Sequence, residues 1–257
     1  MEIYNQFAKV YSTFMGDTPY ESWKHFIKEE IQKYNINPKI MCDLGCGIGT
    51  LCEAFSSENV EMIGIDNSEE MLIEARENAQ KKNLDILYLC QDMSEFELFG
   101  TVDVIYCSCD SLNYLLEKDE VIKTFRLVNN YLEKDGLFIF DINTPYKYNE
   151  ILGEKTFAQQ TENAAYIWEN YFDEVEQINE YGVTFFIQEP DKRYTKTEEF
   201  HYQKAYTIEE IKCFLQEVGL ELLGIYDDYT KNPYHEKSVR ATFVVRETQS
   251  EGKFYTK

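Results

Sequence analysis

Apolar and polar positions alternate in two rhythms along this chain. Short apolar runs occupy 40–42, 60–65, 87–90, 102–106 and 137–142, each uniform enough to read as a strand buried on both faces. Between them the spacing changes to a helical one. Trp23, Phe26, Ile27, Ile31 and Tyr34 make one face of a helix that Thr18-Pro19-Tyr20-Glu21 opens as a capping box. A second helix is expected over 69–82, with Ser68 as N-cap. A third is expected over 119–134, with Val121, Phe125, Val128 and Leu132 on one face. Thr207 to Glu210 is another capping box, and Gly219 ends its helix. Segments 220–228 and 239–246 read as two closing strands. Strands alternating with helices imply a parallel sheet covered on both sides.

Some sixty residues break this alternation. Stretches 165–173, 174–188 and 193–206 alternate aromatic and charged residues, and Tyr166, Trp168, Asn170 and Phe172 share one face at period two. Gly182 and Pro190-Asp191 supply turns. The expectation is an α/β fold with an inserted, small, three-stranded antiparallel sheet. The division is 1–145 for the N-terminal helices and the first part of the core, 146–206 for the insert, 207–247 for the end of the core and 248–257 for a loose polar tail.

The first strand runs into Asp43-Leu44-Gly45-Cys46-Gly47-Ile48-Gly49-Thr50. A strand, a Gly-rich turn and a helix start make a nucleotide-binding corner, because glycine allows a tight turn and the helix offers unpaired N–H groups. A dinucleotide fingerprint reads G-x-G-x-x-G. Here Gly49 comes one residue early and Thr50 stands in the third glycine's place, which points to a nucleoside ligand without a pyrophosphate. Asp66 ends the second strand about 20 residues on, where a carboxylate suits a ribose diol. Asp92 with Met93 ends the third strand, an acid for an adenine amino group beside an apolar contact for its ring.

These residues resemble the class I S-adenosylmethionine-dependent methyltransferases: Asp43 to Gly49 as the glycine motif, Asp66 as the ribose acid and Asp92-Met93 as the adenine pair. More narrowly, Phe7 to Tyr11, Cys109 to Leu115 and Gly136 to Asn143 resemble a group of bacterial small-molecule methyltransferases. The layout is also similar to sugar-amine and glycine N-methyltransferases. The resemblance covers roughly residues 4 to 246. It implies a doubly wound seven-stranded sheet of order 3-2-1-4-5-7-6 with the last strand antiparallel, and S-adenosylmethionine as cofactor. It implies Tyr11 over the sulfonium and Gly45, Cys46, Gly47 and Gly49 around the methionine end. Asn67, Met71 and Cys107 are expected to complete the cofactor's surroundings. The family often has Tyr-Asp where this chain has Tyr11-Ser12, and Thr where it has Ile48.

Composition narrows the acceptor. The 257 residues carry a net charge of −22, which repels phosphate backbones and anionic membrane surfaces. No apolar run approaches the ~20 residues of a spanning helix, and the N-terminus has no signal-peptide pattern. Seven cysteines, an odd number, suit a reducing cytoplasm. Cys107-Ser108-Cys109 lacks the second pair or histidine of a zinc set, so no metal is expected. Nucleic-acid and protein-glutamine N-methyltransferases usually carry Asn/Asp-Pro-Pro-aromatic after the fourth strand, and this chain does not. The expected partner is therefore a small-molecule acceptor, methylated by a monomer or homodimer. Asp110, Asn113, Tyr146 and His201 are the candidates for acceptor contact or proton handling. A non-catalytic module that binds S-adenosylmethionine, and an NAD-dependent oxidoreductase, are the alternative readings. The missing G-x-G-x-x-G disfavours the second.

Overall fold

The computed structural model describes residues 18–56, 58–248 and 253. Seven strands form one mixed sheet: β1 Ile40–Leu44, β2 Glu61–Asp66, β3 Ile86–Cys90, β4 Val102–Cys107, β5 Leu132–Asn143, β10 Glu221–Asp227 and β11 Arg240–Arg246. Their order is β3-β2-β1-β4-β5-β11-β10. Strands β1 to β5 pair in parallel, and β11 runs antiparallel to both neighbours. Helices α1 Tyr20–Lys33, α2 Thr50–Ser56 and α3 Glu69–Lys81 cover one face. Helices α4 Lys118–Tyr131 and α5 Ile208–Val218 cover the other. This is the doubly wound sheet expected from the alternation, in the strand order the resemblance implied.

Two helix boundaries differ from expectation. Helix α1 begins at Tyr20 with Pro19 at its N-cap, so the Thr18 box does not form its cap. Proline has no side-chain acceptor to close such a box. Helix α4 stops at Tyr131, and Leu132 pairs with Val102 as the first residue of β5. The chain then bulges through Asp135, whose φ is +63°, before pairing resumes at Leu137. A Cβ on Gly136 would lie 2.9 Å from the Asp103 and Glu133 carbonyl oxygens, so only glycine closes that bulge. The other caps form as expected. Ser68 accepts from the Met71 N–H, and Thr207 and Glu210 bond reciprocally.

The insert has four strands, not three: β6 Thr156–Gln160, β7 Ala164–Asp173, β8 Ile178–Gln188 and β9 Tyr194–Lys204, all antiparallel. The polar sequence of β6, exposed at four of its five positions, hides it from an apolar-pattern search. A π-helical turn, Lys147–Leu152, carries the chain from β5 into the insert. The shared face holds buried Asn170, Phe172, Asn179, Phe185 and Gln203, while Tyr171 and Phe200 point away and are exposed. Tyr148 and Leu152 of the turn pack with Phe172 and Ala205, so the insert has its own small core. Among the described residues, no helix is long and apolar enough to cross a membrane.

Candidate active site

Every parallel strand ends along one edge, and β11 begins there, with Arg240 opposite Asn143. On its donor side that edge is made by the glycine turn. Gly45, Gly47 and Gly49 have φ of +76°, +53° and +78°, the left-handed region glycine tolerates. The Gly45 and Cys46 N–H groups donate to the Ile65 carbonyl at 2.8 and 2.9 Å, fixing the turn against β2. Each glycine answers to a different neighbour. A Cβ on Gly45 would meet Ser111 at 2.6 Å, with the Met93 methyl 3.5 Å away. One on Gly49 would fall 2.2 Å from the Tyr88 hydroxyl oxygen. A Cβ on Gly47 would meet nothing within 4 Å among the described residues, so the open side of the loop is there.

Asp66 stands beside that opening. Its Oδ2 accepts from the Gly47 N–H at 2.8 Å and its Oδ1 from the Ser68 N–H at 2.9 Å. Each carboxylate oxygen has a second lone pair, so the bonds orient the group without exhausting it. Burial pushes its carboxyl up, against the pull of those N–H groups. Asn67 is exposed next to it, and half-buried Met71 follows at the first turn of α3. Asp92 lies one turn beyond β3, where its Oδ1 accepts from the Ser94 N–H and hydroxyl, both at 2.7 Å. Met93 is half-buried against the core. Asp43 sits underneath, only 3% exposed, where the Cys52 thiol donates to it at 3.5 Å. Desolvation pushes its carboxyl up to about 7. Cys46 and Cys107 are buried, Cys107 completely and within the core. Tyr11 lies outside the described residues.

The acceptor side is a network of long-range side chains. Cys109 and Asp110 both have positive φ, +61° and +52°, turning the chain sharply after β4. Arg240, whose side chain is 11% exposed, donates to Asp110 at 2.7 Å and bonds Asp141, which is fully buried. Asp141 accepts from the Asp110 N–H at 2.9 Å and from the Tyr229 hydroxyl at 2.6 Å. Trp23 of α1 stacks on Tyr229 and carries the Arg240 guanidinium over its ring at 5.3 Å. Gln203 of the insert donates to the second Asp110 oxygen at 2.7 Å, and Tyr148 donates to Gln203 at 3.0 Å. Burial works to raise Asp110, but the Arg240 and Lys147 charges and these donors overcome it and hold the carboxyl low. At Asp141 burial wins and the carboxyl is raised. Lys147, bonded to the Asn143 side chain at 2.8 Å, is pushed down by its own burial.

The four acceptor-side candidates are not brought together. Asp110 lies at the centre of the network. Asn113 is fully buried and braces backbone: its amide donates to the Asn143 and Lys204 carbonyls and accepts from the Asn143 N–H. Tyr146 lines a separate open groove of about 490 Å³ with Pro145, Ile208, Lys212 and Tyr234. His201 meets Tyr114, whose hydroxyl is 3.2 Å from its Nδ1. Arg240, Asp141, Tyr229, Gln203 and Lys147 were not picked out from sequence. One signal was readable: Asp141 is a charge inside the apolar run Leu137 to Ile142, and a buried charge requires a partner.

Comparison with known proteins identifies the family. A family described as a methyltransferase domain matches residues 41–136. A provisionally named methyltransferase of Geobacillus sp. strain WCH70 is 35% identical over 244 residues, covering 95% of this chain and 99% of the relative. The crystal structure of an S-adenosylmethionine-dependent methyltransferase from Clostridium acetobutylicum superimposes with a TM-score of 0.87 at 32% identity, covering 95% of this chain and 98% of that one. An amino pentose methyltransferase with bound S-adenosylmethionine from Micromonospora echinospora shares the fold at a TM-score of 0.76 and 16% identity. The chain is a methyltransferase that uses S-adenosylmethionine, and it belongs to the class I family.

Proposed function

We propose that the acceptor is a small metabolite, reached from the side of the edge that the insert covers. One observation carries this reading: the last insert strand is bonded directly to the acceptor side, Gln203 to Asp110 and the Lys204 carbonyl to Asn113. A sheet held there leaves room for a compact acceptor and works against a bulky polymer. The net charge of −22 adds electrostatic opposition to nucleic acid. The amino pentose methyltransferase above offers a small-acceptor precedent on the same fold.

The donor residues fit the cofactor. The clear space at Gly47, the oriented Asp66 carboxylate beside it and Met93 near Gly45 suit a nucleoside with a charged amino-acid arm. Gly45, Cys46, Gly47 and Gly49 would shape the loop around that arm, Asp66 with Asn67 would hold the ribose, and Asp92 with Met93 the adenine. When bound, S-adenosylmethionine supplies a methyl group activated by a sulfonium. The protein's part is orientation and exclusion of water, and orientation alone is worth about 7–11 kcal/mol of a barrier.

Two measurements test this. Asp66→Ala should weaken S-adenosylmethionine binding at least about tenfold by calorimetry, since it loses charge-assisted bonds. An unchanged dissociation constant would remove Asp66 from the site. Labelled S-adenosylmethionine should mark the low-molecular-weight fraction of a bacterial lysate faster than its tRNA, DNA or protein fractions. Preferential labelling of a polymer fraction would defeat the small-acceptor reading.

A further inference from the structure

The face of the insert that meets the catalytic edge carries a chain of titratable groups that cofactor binding does not use. Glu199, His201 and Gln203 alternate along β9 and so share that face. His201 Nε2 lies 3.3 Å from a Glu199 carboxylate oxygen. Its Nδ1 lies 3.2 Å from the Tyr114 hydroxyl, which is 2.7 Å from the hydroxyl of Tyr181 on β8. The Tyr181 and His201 rings stack at 4.8 Å, holding the imidazole in place.

Counting donors orients the chain. A carboxylate only accepts, so Glu199 takes the Nε2 proton of a neutral imidazole. Nδ1 is then the basic nitrogen and accepts from Tyr114. The one Tyr114 hydrogen is thereby assigned, so Tyr181 must be the donor in the bond between the two phenols. The Tyr114 oxygen keeps one lone pair, on a side chain that is 43% exposed. Tyr114 ends the short 3₁₀ turn that begins just after Asp110, so it stands on the acceptor side. Asp110 is ill-suited to take a proton there, because the Arg240 and Lys147 charges hold its carboxyl low.

We propose that Tyr114 takes a proton from the methyl acceptor and relays it to His201, with Glu199 holding the resulting imidazolium. The inference rests on the acceptor-side reading above and extends it to a substrate class. The acceptor N–H bond breaks as a Tyr114 O–H bond forms. The phenol's original proton moves to His201 Nδ1 and leaves later to solvent. The electron pair stays on the acceptor nitrogen, which becomes the nucleophile. Imidazole serves as a base for an ammonium or, as a general base, for a hydroxyl; the class assigned to the acceptor is a protonated amine, which becomes a full nucleophile on losing this one proton. Desolvation of the hydroxyl, then the nearby Asp110 charge, holds the Tyr114 phenol well above its usual range. It therefore passes a proton on and does not rest as a phenolate. Among the described residues, Glu199 on its own strand, Tyr181 on β8 and Tyr114 from the turn after β4 face His201. Asp110 acts on Tyr114 from the same side, with Arg240 and Lys147 as its counter-charges.

Nitrogen-15 histidine NMR on the full chain, which has three histidines, reads the first link without any substrate. The neutral His201 ring should carry its proton on Nε2, and Tyr114→Phe should shift the Nδ1 resonance to its unbonded position. A proton on Nδ1 would overturn the relay. The second link uses labelled S-adenosylmethionine with the low-molecular-weight lysate fraction. Tyr114→Phe and His201→Gln should cut incorporation about 100-fold at pH 7, within the usual range for proton-transfer catalysis. The deficit should shrink toward pH 9.5, where amines shed the proton unaided, and cofactor affinity should stay within about twofold. A deficit that does not change with pH would reduce both residues to structural parts and overturn the proposal. Wild-type protein that binds S-adenosylmethionine yet labels no small molecule would defeat the acceptor reading itself, a result distinct from failure of the relay.

Discussion

The donor and acceptor halves of the edge, as proposed above, are built by opposite means. The donor half is local and made largely of backbone: three left-handed glycines, N–H groups donated to Ile65 and Asp66, and acids at or just beyond the ends of successive strands. Gly47 and Asp66 are 19 residues apart. The acceptor half is made of side chains brought from far away. Asp110 meets Arg240 across 130 residues and Gln203 across 93, and Tyr114 meets His201 across 87. A backbone cradle suits a ligand that every member of a fold family shares. A side-chain network can be altered residue by residue, which suits an acceptor that differs between relatives.

The contrast predicts where each half breaks. Arg240→Met should have the largest effect on folding. It strips the cation from three carboxylates, one of them fully buried, and breaking such a group typically costs about 3–5 kcal/mol. The melting temperature should fall steeply, and adding Asp141→Asn should recover part of the loss. If Arg240→Met melts like the wild type, the network is not what holds this edge. On the donor side the effect should depend on which glycine is changed. Gly49→Ala meets both a left-handed backbone and the Tyr88 hydroxyl, so about 2–4 kcal/mol of stability should go. Gly47→Ala meets open space and should cost only the backbone strain, about 1–2 kcal/mol, while weakening the cofactor much more than Gly49→Ala weakens it per unit of stability lost. Equal losses of stability at the two positions would show that Tyr88 is not what demands Gly49.

The same contrast explains what the sequence disclosed. The glycine turn, Asp66 and Asp92 are legible because strand, turn and helix start are consecutive, and the spacing alone states the geometry. The seven-stranded core is legible because its strands are apolar and its helices amphipathic. Strand β6 is not, because the polar run Thr156 to Gln160 lies at a sheet edge with little to bury. Arg240 reads on its own as an ordinary charge before an apolar strand. Its role follows only from the antiparallel direction of β11, which returns the start of that strand to the catalytic edge. Asn113 and Tyr146 were singled out for lying after the right strands. Strand ends place the backbone, whereas the direction of a side chain depends on turns such as the Cys109-Asp110 pair.

The smallest expected effect concerns Asp43, the donor-half acid that the glycine turn covers. Desolvation raises its carboxyl to about 7, so the folded protein binds a proton there that the unfolded chain has already released. Its contribution to stability is complete below the usual carboxylate range and is lost as pH rises through about 7. Between pH 6 and 8 the cofactor-free protein should therefore lose about 1 kcal/mol from this group. Asp43→Asn, which keeps the shape without the titration, should flatten that part of the melting curve against pH. Asp110 should not reproduce the effect, since it is held low by Arg240 and releases its proton in a more acidic window. If Asp43→Asn leaves the slope between pH 6 and 8 unchanged, the acid under the loop is already ionised in the folded protein. The donor half would then contain a fixed charge in addition to its backbone cradle.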